Sequence, residues 1–163
     1  MIKEFYFENV DNLVEYLLFK YKELTPLKLQ KSLYFLFGFY AGTYQQSEAE
    51  GELENTYQFP KYLFDAEFEA WTYGPVIKDV YFKNKRGEYI GKNYDFSNEY
   101  VDAEINKFID DVSEMIMKKS DFALVDRTHE DKVWKEAISK GKSTEMKKED
   151  IASEYREIFQ SVE

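Results

Sequence analysis

Residues Ala70-Trp71-Thr72-Tyr73-Gly74-Pro75-Val76-Ile77, followed by Val80-Tyr81, constrain this chain more than any other stretch. A Gly-Pro pair ends one element and starts another. Pro75 fixes its own φ and has no amide donor, which suits the first turn of a helix. Gly74 can take backbone shapes closed to other residues, while Pro75 biases it toward extended ones. Trp71 and Tyr73 stand just before the corner, and Val76, Val80 and Tyr81 just after it. The spacing predicts a rigid, aromatic-walled corner leading into a helix from Pro75 to about Asn84. Such a corner is either a fold-defining joint or a docking surface, and it shows no active-site chemistry.

Helical periodicity dominates the rest. Val10, Leu13, Val14, Leu17, Leu18 and Tyr21 recur at helical spacing, with Asn9 or Asp11 as cap. Thr25-Pro26 reads as N-cap plus first helical residue of a second helix. That helix carries Leu29, Leu33, Leu36, Phe37, Tyr40 and Tyr44 on one face and Leu27, Tyr34, Phe35 and Phe39 beside it. So wide an apolar surface predicts the central, most buried helix, ended by Gly42 or the polar stretch after it. From Tyr62 to Ala70 the pattern alternates, with Asp65, Glu67 and Glu69 opposite the apolar residues, and predicts a short strand. Residues 88–96 give no clean period and read as a short strand or irregular chain. Ser97 or Asn98 caps a third long helix with Val101, Ile105, Phe108, Ile109, Val112 and Ile116 inward. Residues 120–125 read as a connection or single turn. Thr128 with Asp131 resembles a capping arrangement for a helix from His129 to Ile138, with Val133, Trp134, Ala137 and Ile138 inward. Lys140–Asp150 reads as a loop, and a last helix from Lys148 to Gln160 presents Ile151, Tyr155, Ile158 and Phe159. The expectation is a mainly α, single helical domain over residues 1–163, with a short β element near 62–70 and a second at 88–96 if that segment is extended.

Composition narrows the chemistry. The net charge is −10, and an acidic field repels phosphate backbones, which disfavours nucleic acid as partner; it suits a basic protein partner, or equally serves solubility alone. Only the short cluster Lys83, Lys85, Arg86, Lys92 runs the other way. The crowded Glu48, Glu50, Glu52 and Glu54 form a solvated loop or an acidic recognition loop. There is no Cys, hence no disulfide and no thiolate metal site, which fits a cytoplasmic protein. Acidic Glu4, Glu8 and Asp11 interrupt the start of the chain, so no signal peptide is expected there. The longest apolar run, Leu33 to Ala41, is about half of a membrane span.

Catalytic constellations are sparse. His129 is the one histidine; a triad is formally possible with Asp126 or Asp131, or acid–base work with Glu130, but no Gly-x-Ser-x-Gly elbow accompanies it. Asp65/Glu67/Glu69 and Asp110/Asp111/Glu114 lack the spacing of a calcium loop. Gly38 and Gly42 sit in an apolar helix, not in a phosphate-binding loop. The residues themselves therefore call for no catalytic group, metal or cofactor.

Taken together, three ordered blocks resemble the Panacea antitoxin domain, also called SocA-like and common in prophages. Thr25-Pro26-Leu27-Lys28-Leu29-Gln30-Lys31-Ser32-Leu33-Tyr34-Phe35 is similar to its opening helix motif. Phe68-Glu69-Ala70-Trp71 with Tyr73-Gly74-Pro75-Val76 and Val80-Tyr81 is similar to its central motif, and Thr128-His129 with Trp134 to its third. Glu149-Asp150-Ile151 to Phe159 resembles its closing helix, and Ser32 and the acidic loop before Phe59 depart from the pattern. The resemblance implies a non-enzymatic helical domain that neutralises a co-encoded protein toxin, by direct contact or by delivering it to an ATP-dependent protease as an adaptor. The alternatives are a phage-encoded regulator that binds a host protein or DNA, and a hydrolase using His129. The residues expected to define the fold or touch the partner are Trp71, Tyr73, Gly74, Pro75, Val76, Tyr81, Thr128, His129 and Trp134.

Overall fold

Helices begin where the capping residues stand. The computed structural model describes residues 3–45 and 58–161, so Glu48, Glu50, Glu52 and Glu54 lie outside the described residues. In α1 (Val10–Lys20) the Asn9 side chain accepts from the Asp11 amide. In α2 (Pro26–Tyr44) Thr25 Oγ1 accepts from the Lys28 amide at 3.1 Å and Pro26 takes the first turn, as the sequence predicts. The helix runs through Gly42 to Tyr44. It is buried on every side from Leu29 to Gly38 and packs closely against α1, against the strand Gly74–Ile77 and against all but one of the later helices.

The chain continues with β1 (Phe68–Trp71), β2 (Gly74–Ile77), α3 (Lys78–Lys85), α4 (Tyr100–Met117), α5 (Asp121–Thr128), α6 (Lys132–Ser139), β3 (Thr144–Met146) and α7 (Lys148–Gln160). The three strands form one antiparallel sheet in the order β2-β1-β3. Seven helices and this small sheet make the fold mainly α among the described residues. No helix among them is long and apolar enough to cross a membrane.

Several boundaries differ from the sequence expectation. Alternating burial from Phe64 to Ala70 is present, but the strand proper is Phe68–Trp71, because the preceding segment pairs with the N-terminal chain: Phe5 bridges Tyr62, and the Tyr6 amide donates to the Tyr62 carbonyl at 3.0 Å. Pro75 lies in β2, not in a helix, and α3 starts only at Lys78. Thr128 is no N-cap. It is the last residue of α5, and its hydroxyl donates back to the Val125 carbonyl at 2.7 Å. The segment 120–125 is accordingly the start of a two-turn helix capped by Ser120. Lys140–Asp150 contains β3, whose three residues are too few to show a period. Glu99, rather than Ser97 or Asn98, is the N-cap residue of α4; Ser97 instead bonds Asp102.

Residues 88–96 are irregular and contain no strand. Their backbone is satisfied by α1: Glu15 Oε1 accepts from the Ile90 and Gly91 amides, at 3.0 and 2.7 Å. Gly91 has φ +81°, and a Cβ there would lie 3.2 Å from the Leu18 carbonyl oxygen. The rings of Tyr94 and Phe96 then pack edge-on to Phe7, and Phe96 to Tyr16.

Two features lock the core. Helix α7 lies directly on α2 at Gly38 and Gly42, where added Cβ atoms would stand 2.8 Å from Tyr155 and 2.6 Å from Phe159 ring carbons. Glycine is therefore required in this helix for close approach, despite its low helical propensity. Asp131, 1% exposed, gathers three elements: its Oδ2 accepts from Tyr34 Oη of α2 at 2.5 Å and from Tyr155 Oη of α7 at 2.6 Å, and its Oδ1 takes Arg127 of α5 at 2.7 Å. Burial, reinforced by neighbouring charge including that of Asp131, holds both tyrosyl hydroxyls well above their ordinary pKa, so they remain donors. Asp131 is the N-cap residue of α6, but its carboxylate is committed to the core. Glu154 of α7 caps that helix instead, accepting from the Lys132 and Val133 amides.

Replacing Asp131 with Ala strands two buried hydroxyls and a guanidinium, and should lower unfolding free energy by about 3–5 kcal/mol in urea titration. Gly42→Val should cost about 1–3 kcal/mol by overpacking against Phe159; an unchanged midpoint would mean that α2 and α7 are not in contact there.

Candidate functional site

Residues 68–77 form a β-hairpin with Phe68 opposite Ile77 and Trp71 opposite Gly74. Thr72 and Tyr73 form the turn with negative φ, and Gly74 carries φ +105°. The register runs one-to-one up to this two-residue turn, and the positive φ just after it falls on glycine. Gly74 is fixed twice over, because a Cβ there would lie 2.5 Å from Thr128 Oγ1 and 2.8 Å from Lys31 Cε.

The outer edge of β2 is closed by side chains of α2 in place of another strand. Gln30 Oε1 accepts from the Ile77 amide at 2.8 Å, and Gln30 Nε2 donates to the Ile77 carbonyl at 3.2 Å. Lys31 Nζ donates to the Pro75 carbonyl at 3.1 Å. Pro75 has no N–H to satisfy, so a proline on this edge leaves nothing unpaired. Val76 stands opposite Glu69 in the ladder and is buried.

The turn is clamped from the other side. Trp134 Nε1 donates to the Trp71 carbonyl at 3.0 Å, and His129 Nε2 lies 3.0 Å from the Thr72 carbonyl. A carbonyl only accepts, so Nε2 is the protonated nitrogen. The His129 ring stacks on Trp134 with centroids 4.0 Å apart. His129 thus serves as a backbone tie. Asp126 and Glu130 are exposed, and Asp131 is turned into the core, so none forms an acid–base pair with it.

The nine candidate residues therefore converge on one hairpin and divide by exposure. Gly74, Pro75, Val76 and Thr128 are buried. Trp71, Tyr81, His129 and Trp134 are half-buried, and Tyr73 is 60% exposed at the tip. Trp71 and Tyr81 meet edge to face at 5.1 Å, with Lys142 over one ring and Lys85 over the other. Next to this aromatic ledge runs a groove of about 410 Å3 floored by Ala66, Phe68 and Ile77. Six carboxylates line it against two lysines, Lys78 and Lys148. Their roles differ. Asp65 pairs with Lys148 at 3.0 Å, and Glu69 accepts from Trp71 Nε1. Asp79 and Glu149 sit in the first turns of α3 and α7, where the helix dipole favours anions. Glu67 and Glu145 extend toward solvent. Among the described residues no three His, Asp or Glu side chains come together in a way that could hold a metal ion. The second carboxylate cluster is divided among partners: Asp110 takes Tyr16 and Lys20, and Asp111 takes Lys107.

Gln30, Lys31 and Tyr34 are the residues that the sequence reading did not place at the site, and Asp131, weighed there as a cap or as a triad partner of His129, is instead a core anchor. Their one sequence signal is polarity inside the most apolar helix and just before Trp134.

A family model described as "Antitoxin SocA-like, Panacea domain" matches residues 29–135, which takes in α2, the hairpin and the His129–Trp134 clamp. Comparison with curated proteins and with solved structures gives no match. On the strength of that match over most of its length, the chain belongs to the SocA-like antitoxin family built on the Panacea domain.

Proposed function

We propose that this protein is the antitoxin of a toxin–antitoxin pair, a non-enzymatic binding protein that neutralises a co-encoded protein toxin. The observation that carries the reading is the division of the hairpin: its buried half is locked to α2 and α5, and its outer half offers Trp71 and Tyr73 to solvent, with Tyr81 of α3 beside them, next to an acidic groove. Rigid aromatic rings anchor protein interfaces at low entropic cost, and a negative rim steers a basic partner. Family membership supports a protein partner. The engagement of His129 with a backbone carbonyl and an indole favours binding over hydrolysis.

Co-expression with the product of the neighbouring gene tests the reading. It fails if that product is harmless alone or stays toxic beside this chain. Loss of the toxin from the cell would indicate the adaptor mode, and persistence of an inactive toxin the blocking mode.

Two substitutions separate contact from architecture. Tyr73→Ala should leave the melting temperature unchanged and weaken partner binding by about 2 kcal/mol, roughly 30-fold. Gly74→Ala should lower stability by more than about 1 kcal/mol, because alanine resists the positive φ. Reversing Glu67 and Glu145 to Lys should slow association and flatten its salt dependence, read by stopped-flow mixing at two ionic strengths.

A further inference from the structure

Lys31 is a buried lysine without a counter-ion. It is 1% exposed, in the middle of α2. Among the described residues no carboxylate lies within ion-pair distance of it, and the Pro75 carbonyl is its one hydrogen-bond acceptor. An ammonium has three donors, so two are left without partners here.

The neighbours do not relieve it. On α2, Lys28 pairs with Asp121, and Tyr34 donates to Asp131. On α5, Arg127 is held by Asp131, and the Thr128 hydroxyl donates to Val125. His129, just after α5, is tied to Thr72. Lys78 and Asp79, which follow β2, are exposed. Burial of the amine accordingly lowers its pKa from 10.5 to about 7.

The position of its single partner matters. Along the outer edge of β2, Gln30 ties Ile77 at one end, and Trp134 and His129 tie the turn at the other. Between them Pro75 has no N–H, so the Lys31 bond is the tie at the centre of the edge. Gly74 packs directly on the Lys31 stem and on Thr128, so an outward movement of the Gly74-Pro75 corner would break this tie and admit water to the amine.

We propose that Lys31 is a proton-operated latch on the hairpin: the neutral amine lets the corner close on α2, and proton uptake loosens it. This deepens the reading of the hairpin as the partner-binding face, and rests on that reading only for its consequence, a partner affinity that changes with pH. The sign follows from linkage. The open corner holds a lysine with its ordinary pKa of 10.5, and the closed corner one near 7. The closed form is weakest below about pH 7 and gains stability as the pH rises from there toward 10.5.

Amide hydrogen exchange on the isolated chain tests the latch. Protection factors, corrected for intrinsic exchange, are read at Val76 and Glu69 between pH 6 and 9. They should be flat below about pH 7 and rise above it by up to roughly tenfold per pH unit. Amides inside α2 should not follow. Lys31→Met should abolish the slope, and His129→Gln should keep it. Equal slopes in the wild type and Lys31→Met, or flat protection throughout, overturn the proposal. If Lys31→Met does not fold, NMR titration of the Lys31 Nζ in the wild type decides, and titration near 10.5 overturns it. A pH-dependent hairpin in a chain that no neighbouring toxin binds would sink the antitoxin reading and leave the latch standing.

Discussion

The fold depends on one polar strip of an otherwise apolar helix. Gln30, Lys31 and Tyr34 of α2 are all buried, and each directs its polar atoms to a different place: the Ile77 backbone, the Pro75 carbonyl and the Asp131 carboxylate. Unpaired polar groups at this depth would each cost about 1–3 kcal/mol. The strip therefore fixes where the hairpin and the α5–α6 junction must sit. A purely apolar helix would bury as much surface and specify the arrangement less. Asp131 extends the strip, joining Tyr34 to Tyr155 and Arg127, and so ties α7 into the same network.

The hairpin is held as a closed edge. A three-stranded sheet in so helical a protein exposes edges that invite pairing with other chains. On the β2 side that hazard is removed by the Gln30 amide, which occupies both hydrogen-bonding groups of Ile77 as a neighbouring strand would, and by Pro75, which presents no donor. On the proposed antitoxin reading, the surface left to a partner is the solvent side of the sheet and its tip, where side chains project, and not the β2 edge. This is consistent with aromatic anchoring rather than strand addition as the mode of recognition.

Much of this was legible in the sequence where a local rule operates. Thr25-Pro26 and Asn9 gave true helix starts, and the apolar width of residues 27–44 marked the central helix. The alternation before Ala70 gave true burial. What stayed hidden depends on distant partners. Pro75 reads as a helix start until the register with Ala70 is known. Thr128 and Asp131 read as caps, yet one ends a helix and the other turns inward to two tyrosines from far along the chain. The glycines of α2 are intelligible only with Tyr155 and Phe159 above them. In the hairpin region the nine candidate residues were individually visible, but Gln30 and Lys31, which hold the hairpin from below, were not, because buried polar side chains carry no periodic signal.

The division of labour along the hairpin also bears on how one domain could serve different partners. Gly74, Pro75, Val76 and Thr128 are determined by backbone geometry and close packing, so substitution there disturbs the fold before it changes recognition. Tyr73, Glu67 and Glu145 touch little of the core. Surface positions of this kind change at a cost within about 0.5 kcal/mol of stability. If the hairpin is the partner face, a scaffold built in this way keeps the residues of its corner while the side chains displayed on it vary, and alterations in the groove and at the tip alone would shift specificity. The fixed corner, not any particular contact, is then the property that a shared motif would preserve.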